Sequence, residues 1–138
     1  MIILDTNVVS EIMRGRGHQL EDWVIELPAS DVFTTAVTVA EVRFGIERLP
    51  EGKRKQHLHD QALEAFAAIA SRVLPFDGQA GARCGELMAQ AMRHRRSFSF
   101  PDAQIAAITA CKRATLATRN IRDFETAGID LVNPFELT

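Results

Sequence analysis

Cysteine is scarce in this chain, long apolar runs are missing, and positive charge is not in excess. The two cysteines, Cys84 and Cys111, form neither a Cys-x-x-Cys pair nor a Cys/His zinc spacing. That argues against a disulfide framework and for a reduced, cytoplasmic compartment, with Cys84 packed in a core. The longest apolar run, AFAAIA at 65–70, is too short to span a bilayer, and there is no basic leader followed by an apolar stretch and a small-residue cleavage site. The expectation is a soluble protein with no membrane association. Sixteen Lys plus Arg against 18 Asp plus Glu leave a net charge of −2, so nucleic acid is not held by global charge and any polyanion must be held locally. Two basic clusters are placed for that: Lys53, Arg54 and Lys55, then Arg93, His94, Arg95 and Arg96. Each also reads as a solvated helix end, and the second closes a helical pattern where cations suit the macrodipole.

What is present is one domain's length of sequence, read here as a single domain over 1–138 and long enough to bury roughly 70% of its unfolded surface. No repeat, low-complexity tract or linker interrupts it. Five short apolar runs, Ile2–Leu4, Val32–Thr34, Val73–Phe76, Thr115–Ala117 and Leu131–Val132, read as buried strands. Between them lie helical patterns: 56–70 places Leu58, Ala62, Phe66 and Ile69 on one face, and 80–95 does the same for Cys84, Leu87, Met88 and Ala91. Strands alternating with helices predict an α/β sandwich around a mostly parallel sheet, whose ligands sit outside the carboxyl ends of the strands.

Asp5 falls at that edge. Ahead of Thr-Asn-Val-Val-Ser-Glu it is also placed to cap a helix, with Thr6 and Asn7 either first-turn residues or hydrogen-bond partners that orient its carboxylate. Glu41 lies in VTVAEVRFGIERL, where Val37, Ala40 and Phe44 predict an apolar stripe that Glu41 interrupts. An ionised carboxylate buried there needs a cation, and Arg48 is the structural candidate. Asp102 follows Pro101, an ordinary helix start, but the helix it heads is apolar almost all round through Ile105, Ala106, Ala107, Ile108, Ala110 and Cys111. In LATRNIRDF, Thr118, Arg119 and Asn120 follow a strand, and Asp123 comes one turn later.

Gathered at one sheet edge, these acids make a pocket that a cation must stabilise, because two carboxylates about 4 Å apart repel by roughly 4 kcal/mol at an effective dielectric near 20. Oxygen-only ligands select Mg²⁺ or Mn²⁺ over zinc. His57 and His59 are two positions apart and do not share a helix face. Carboxylates holding one or two such ions are suited to phosphodiester hydrolysis.

Four motifs, MIILDTNVVSE, TVAEVRFGI, PDAQIAAITA and LATRNIRDFETAGIDLVNPF, together resemble the PIN-domain nucleases, specifically the VapC- and FitB-like toxins of bacterial toxin–antitoxin pairs. They occur in the right order across essentially the whole chain. The resemblance implies a three-layer α/β/α sandwich with a mostly parallel five-stranded sheet and a Mg²⁺- or Mn²⁺-dependent ribonuclease. It also implies an RNA substrate and a cognate antitoxin that occludes the site, with a homodimeric toxin that the antitoxin can carry onto DNA in a larger assembly. By motif, Asp5, Glu41 and Asp102 match the three family acids. At the fourth position Asn120 stands where an Asp is common, and Asp123 supplies the nearby charge. Thr118 matches a hydroxyl position near the scissile phosphate, and Asn7 accompanies Asp5.

Other classes fit less well. A phospho-acceptor domain would use Asp77 and Thr118, but Asn133 rather than Lys precedes Pro134 and Glu41 would have no task. A haloacid-dehalogenase-like phosphatase needs Asp-x-Asp, which Asn7 breaks. A PIN-like module that only binds RNA or protein is the remaining alternative.

Overall fold

A computed structural model describes residues 1–15 and 18–137. Strands β1 (Ile2–Leu4), β2 (Val32–Thr35), β3 (Val73–Leu74), β4 (Thr115–Ala117) and β5 (Asp130–Val132) form one sheet of order β3-β2-β1-β4-β5. Every pairing is parallel, with Ile3 opposite both Phe33 and Leu116. The expected strands are all present, β1 and β4 with the expected ends and β2, β3 and β5 with shifted ones. β3 stops at Leu74 instead of Phe76, because Pro75 has no N–H to give to a ladder.

The helices are α1 (Thr6–Arg14), α2 (His18–Glu26), α3 (Ala36–Glu47), α4 (Lys53–Ala68), α5 (Gly78–Arg93), α6 (Phe100–Lys112) and the single turn α7 (Ile121–Phe124). The segments expected at 56–70 and 80–95 are α4 and α5, each beginning and ending a little earlier. Asp77 sets the start of α5 by accepting the Ala80 N–H at 3.0 Å.

Side chains alternate across the sheet and feed two cores. Ile3 and Leu116 pack with Cys84, Leu87, Ile105 and Ile108 of α5 and α6, while Leu4 and Ala117 pack with Val8, Leu20, Val42 and Ala62 of α1 to α4. The result is the three-layer α/β/α sandwich.

Two packing expectations are corrected. On α3 the buried face is Val37, Thr38, Val42 and Ile46, while Ala40 is exposed and Phe44 is 69% exposed. The face turns because Thr38 is accommodated inside: its N–H donates to the capping Thr35 hydroxyl at 3.1 Å, and its own hydroxyl is 3.2 Å from that of Thr6. Glu41 therefore borders a face that carries a buried threonine, and does not interrupt an apolar stripe. On α6 the buried run is Ala103 and Ile105–Thr109, with Ala110 half-buried and Cys111 exposed, because the last turn leaves the sheet before Arg113 (φ 52°) reverses the chain into β4.

The order places the change of winding direction between β1 and β4. A change of winding of this kind leaves a crevice beyond the carboxyl ends of the two strands.

Candidate active site

Asp5 and Thr118 are the residues that follow β1 and β4, so strand pairing sets them side by side. The Asp5 N–H continues the ladder to Ala117 O at 2.9 Å, and the Thr118 N–H does the same to Val132 O at 2.9 Å. Both side chains are buried, Asp5 at 3% exposure and Thr118 at 0%.

The two oxygens of Asp5 divide the roles considered for it. Oδ1 accepts the Thr6 N–H at 2.8 Å and caps α1. Oδ2 accepts the Thr118 hydroxyl at 2.7 Å and Asn7 Nδ2 at 3.2 Å. Asn7 also accepts the Arg119 N–H on Oδ1 at 3.1 Å, and Thr118 Oγ1 accepts the Asn120 N–H at 3.0 Å. Asn7 thus ties the end of β1 to the loop after β4 while it orients the carboxylate. Thr118, fully buried and donating to Asp5, is a positioning residue for that acid.

Glu41 reaches the crevice from α3, half-buried, and its Oε1 accepts the Thr6 hydroxyl at 2.7 Å. Arg48 is not its partner: the Arg48 guanidinium lies 6.0 Å above the Phe44 ring. Asp102, half-buried in the first turn of α6, donates its N–H to the capping Ser99 hydroxyl at 3.2 Å. Asp123, in α7, is exposed, and so is Asn120, whose side chain makes no capping bond.

These acids share one field. Burial lifts the Asp5 carboxyl to about 6, against the lowering effect of bonds from Thr118 and Thr6, and repulsion from Asp102 and Glu41 adds to the rise. Burial also raises Asp102, opposed by its hydrogen bond with Ser99 and reinforced by the charges of Asp123 and Glu41. Among the described residues no Lys, Arg or His pairs with any of the four acids. Nor do three His, Cys, Asp or Glu side chains among the described residues close around one position as a metal cage. The cluster is electrostatically coupled but open. This donor set suits a hard cation that keeps several waters and takes one or two carboxylates directly, which is how Mg²⁺ binds, and does not suit a closed zinc site.

Sequence patterns left out Ser99 and Thr38, and named Thr6 only as a partner of Asp5, not of Glu41. The Ser99-Phe-Pro-Asp102 spacing is that of a capping box and was a usable signal. The Thr6 hydroxyl meets Glu41 and the Thr38 hydroxyl only through tertiary packing, and no local pattern announces either contact.

Comparison with known proteins identifies the family. The PIN domain family model matches residues 2–129. A VapC ribonuclease, Y4jK of Sinorhizobium fredii, is 38% identical over 138 residues, covering 99% of this chain and 99% of that protein. Toxin FitB of Neisseria gonorrhoeae is 35% identical over 137 residues, covering 98% and 99%. The structure of FitAB bound to an IR36 DNA fragment superimposes with a TM-score of 0.91 at 35% identity, covering 100% of this chain and 98% of that one. No helix among the described residues is long and apolar enough to cross a membrane. A parallel sheet with acids at its switch point, a family match across most of the chain and end-to-end similarity to two such proteins together show that this chain belongs to the PIN-domain family, among its VapC- and FitB-like toxins.

Proposed function

We propose that the chain is a single PIN domain that hydrolyses RNA internally with the help of Mg²⁺ or Mn²⁺, as the toxin of a toxin–antitoxin pair. The observation that carries this is Asp5: a buried carboxyl lifted to about 6, in the field of Asp102 and Glu41, and without a cationic partner among the described residues. Asp5, Glu41, Asp102 and Asp123 would hold the ion, directly or through its waters. When bound, such a cation supplies a hydroxide at neutral pH and neutralises charge on the scissile phosphate.

The chain's own residues do the rest. Thr118 and Asn7 keep Asp5 ionised and aimed, and Thr6 holds Glu41 across the crevice. Asp123 provides charge from α7, and Asn120 provides none. The substrate is RNA and the toxin is a homodimer.

The partner is an antitoxin docking over α1 and the Lys53–Phe66 part of α4. An arginine from it would make bidentate hydrogen bonds to the paired carboxylates and displace the metal. The DNA in the FitAB structure is consistent with a larger assembly reached through that partner.

The test is cleavage of a generic RNA by purified protein with Mg²⁺ or Mn²⁺ and its loss in EDTA. Asp5→Asn, Glu41→Gln and Asp102→Asn are each expected to abolish it without unfolding the protein. The open arrangement of the acids favours one rival, a module that binds RNA or protein without cutting. RNA bound but uncut in Mg²⁺ and in Mn²⁺ would establish that reading instead.

A further inference from the structure

Beside the acids a groove runs between α1, α3 and α4, and Thr6 and Glu41 are part of its wall. Three arginines from three different helices or helix ends, Arg14, Arg48 and Arg54, line it as well, and the half-buried Met13, Leu49 and Leu58 supply apolar surface. Among the described residues Arg48 and Arg54 have no carboxylate partner, and Arg14 has only Glu11 at 3.5 Å with its own side chain 44% exposed. In a chain of net charge −2 this is a local concentration of positive charge.

Gly45 is the fourth sign. It sits inside α3, where glycine is the poorest helix former after proline, and its backbone does not need glycine's freedom. Packing does not require it either: a Cβ built there meets nothing within 4 Å. Gly45 lines the groove, so what its missing side chain provides is open space beside the arginines.

We infer that this groove is the track for a single-stranded RNA backbone leading to the acids, with phosphates on Arg14, Arg48 and Arg54 and bases against the apolar surface. The inference rests on the ribonuclease reading and adds where, and in what form, the RNA lies. Charge complementarity selects the occupant, because phosphates at regular spacing meet the arginines, and at the acid end a phosphate is accepted only when a metal ion bridges it. Apolar surface between the cations suits unstacked bases, which a duplex does not offer.

The experiment measures binding of a fluorescein-labelled single-stranded oligoribonucleotide in EDTA, where no cutting occurs, by anisotropy over a range of salt, with cleavage in Mn²⁺ followed in parallel. The double variant Arg48→Gln/Arg54→Gln is expected to bind at least tenfold more weakly, with a slope of log K against log salt shallower by about 1.4, since each single-strand phosphate contact contributes about 0.7. Gly45→Gln is expected to weaken binding, while Gly45→Ala binds as wild type and melts no lower. A duplex of the same sequence is expected to bind more weakly than the single strand.

Wild-type cleavage with binding unchanged in both the arginine double variant and Gly45→Gln overturns the groove and leaves the ribonuclease reading standing. Loss of affinity for the co-purified antitoxin with RNA affinity intact makes the groove a protein site and also overturns it. If wild type neither binds nor cuts RNA, the ribonuclease reading itself fails and this inference falls with it.

Discussion

The hydroxyl of Thr6 donates to Glu41 Oε1 across 2.7 Å, while the N–H of the same residue serves Asp5 Oδ1 at 2.8 Å. One threonine therefore positions two acids that lie on different elements. Thr6→Val removes the hydroxyl and keeps the N–H, so Glu41 loses its donor while Asp5 keeps its cap. A hydrogen bond to a charged group is worth about 1.5 kcal/mol or more, so cleavage should fall roughly tenfold, and Thr6→Ser should restore it. A Thr6→Val protein that cuts at the wild-type rate would remove Thr6 from the site.

The stability of the metal-free protein should depend on pH through Asp5. Its carboxyl protonates at about 6 when folded, against the ordinary 3.8 when unfolded. Between those values the folded state binds more protons, so stability falls as pH rises, and above about 6 the loss is complete. At 1.36 kcal/mol per unit the full effect is about 3 kcal/mol. Asp5→Asn lacks this titration. Urea unfolding in EDTA should show the variant gaining on wild type by that order between pH 4 and pH 7.5, and parallel curves for the two proteins would contradict the assignment.

Divalent cations should reverse that loss. An ion that binds only the folded state adds about 2.7 kcal/mol at a hundredfold excess over its Kd. Thermal melting of wild type should rise with Mg²⁺ or Mn²⁺, and rise less in Asp5→Asn. Equal shifts in the two proteins would place the ion elsewhere.

Asp123 and Asn120 can be separated by the same titration. Asp123 contributes to the raised Asp102 carboxyl, whereas Asn120 is tied to the site through its N–H bond to Thr118. Asp123→Asn should weaken metal binding more than Asn120→Ala. The opposite order would make the Asn120 carbonyl the ligand.

Growth offers the last check. Expressing the chain alone should arrest its host, co-expressing the antitoxin should restore growth, and Asp5→Asn should be harmless without it. Normal growth with abundant folded wild type would shift the reading to the non-cutting module.

The strands were legible because each is a short apolar run between helical patterns, and the α5 face followed directly from the spacing of Cys84, Leu87, Met88 and Ala91. Asp5 was legible for a related reason: strand order decides where ligands sit, and Asp5 ends the first strand. The α3 face was not, since Phe44 is apolar yet exposed and Thr38 is polar yet buried, and only the tertiary bond between Thr38 and Thr6 settles which way the helix turns. Ala110 and Cys111 misled similarly, because apolar composition does not say where a helix parts from its sheet. Of the groove arginines Arg54 was marked, in the basic cluster at 53–55, but nothing local joins it to Arg14 and Arg48, which come from two other stretches of sequence.

The pairing of β1 with β4 brings Ile2–Leu4 against Thr115–Ala117. During synthesis the first strand therefore waits, unpaired on that side, until nearly the whole chain has emerged from the ribosome. Asp5 cannot receive the Thr118 hydroxyl before then, so a fragment that stops short of β4 lacks one wall of the crevice. The acidic crevice of a chain built this way is therefore a late product of synthesis, and so is whatever activity it carries.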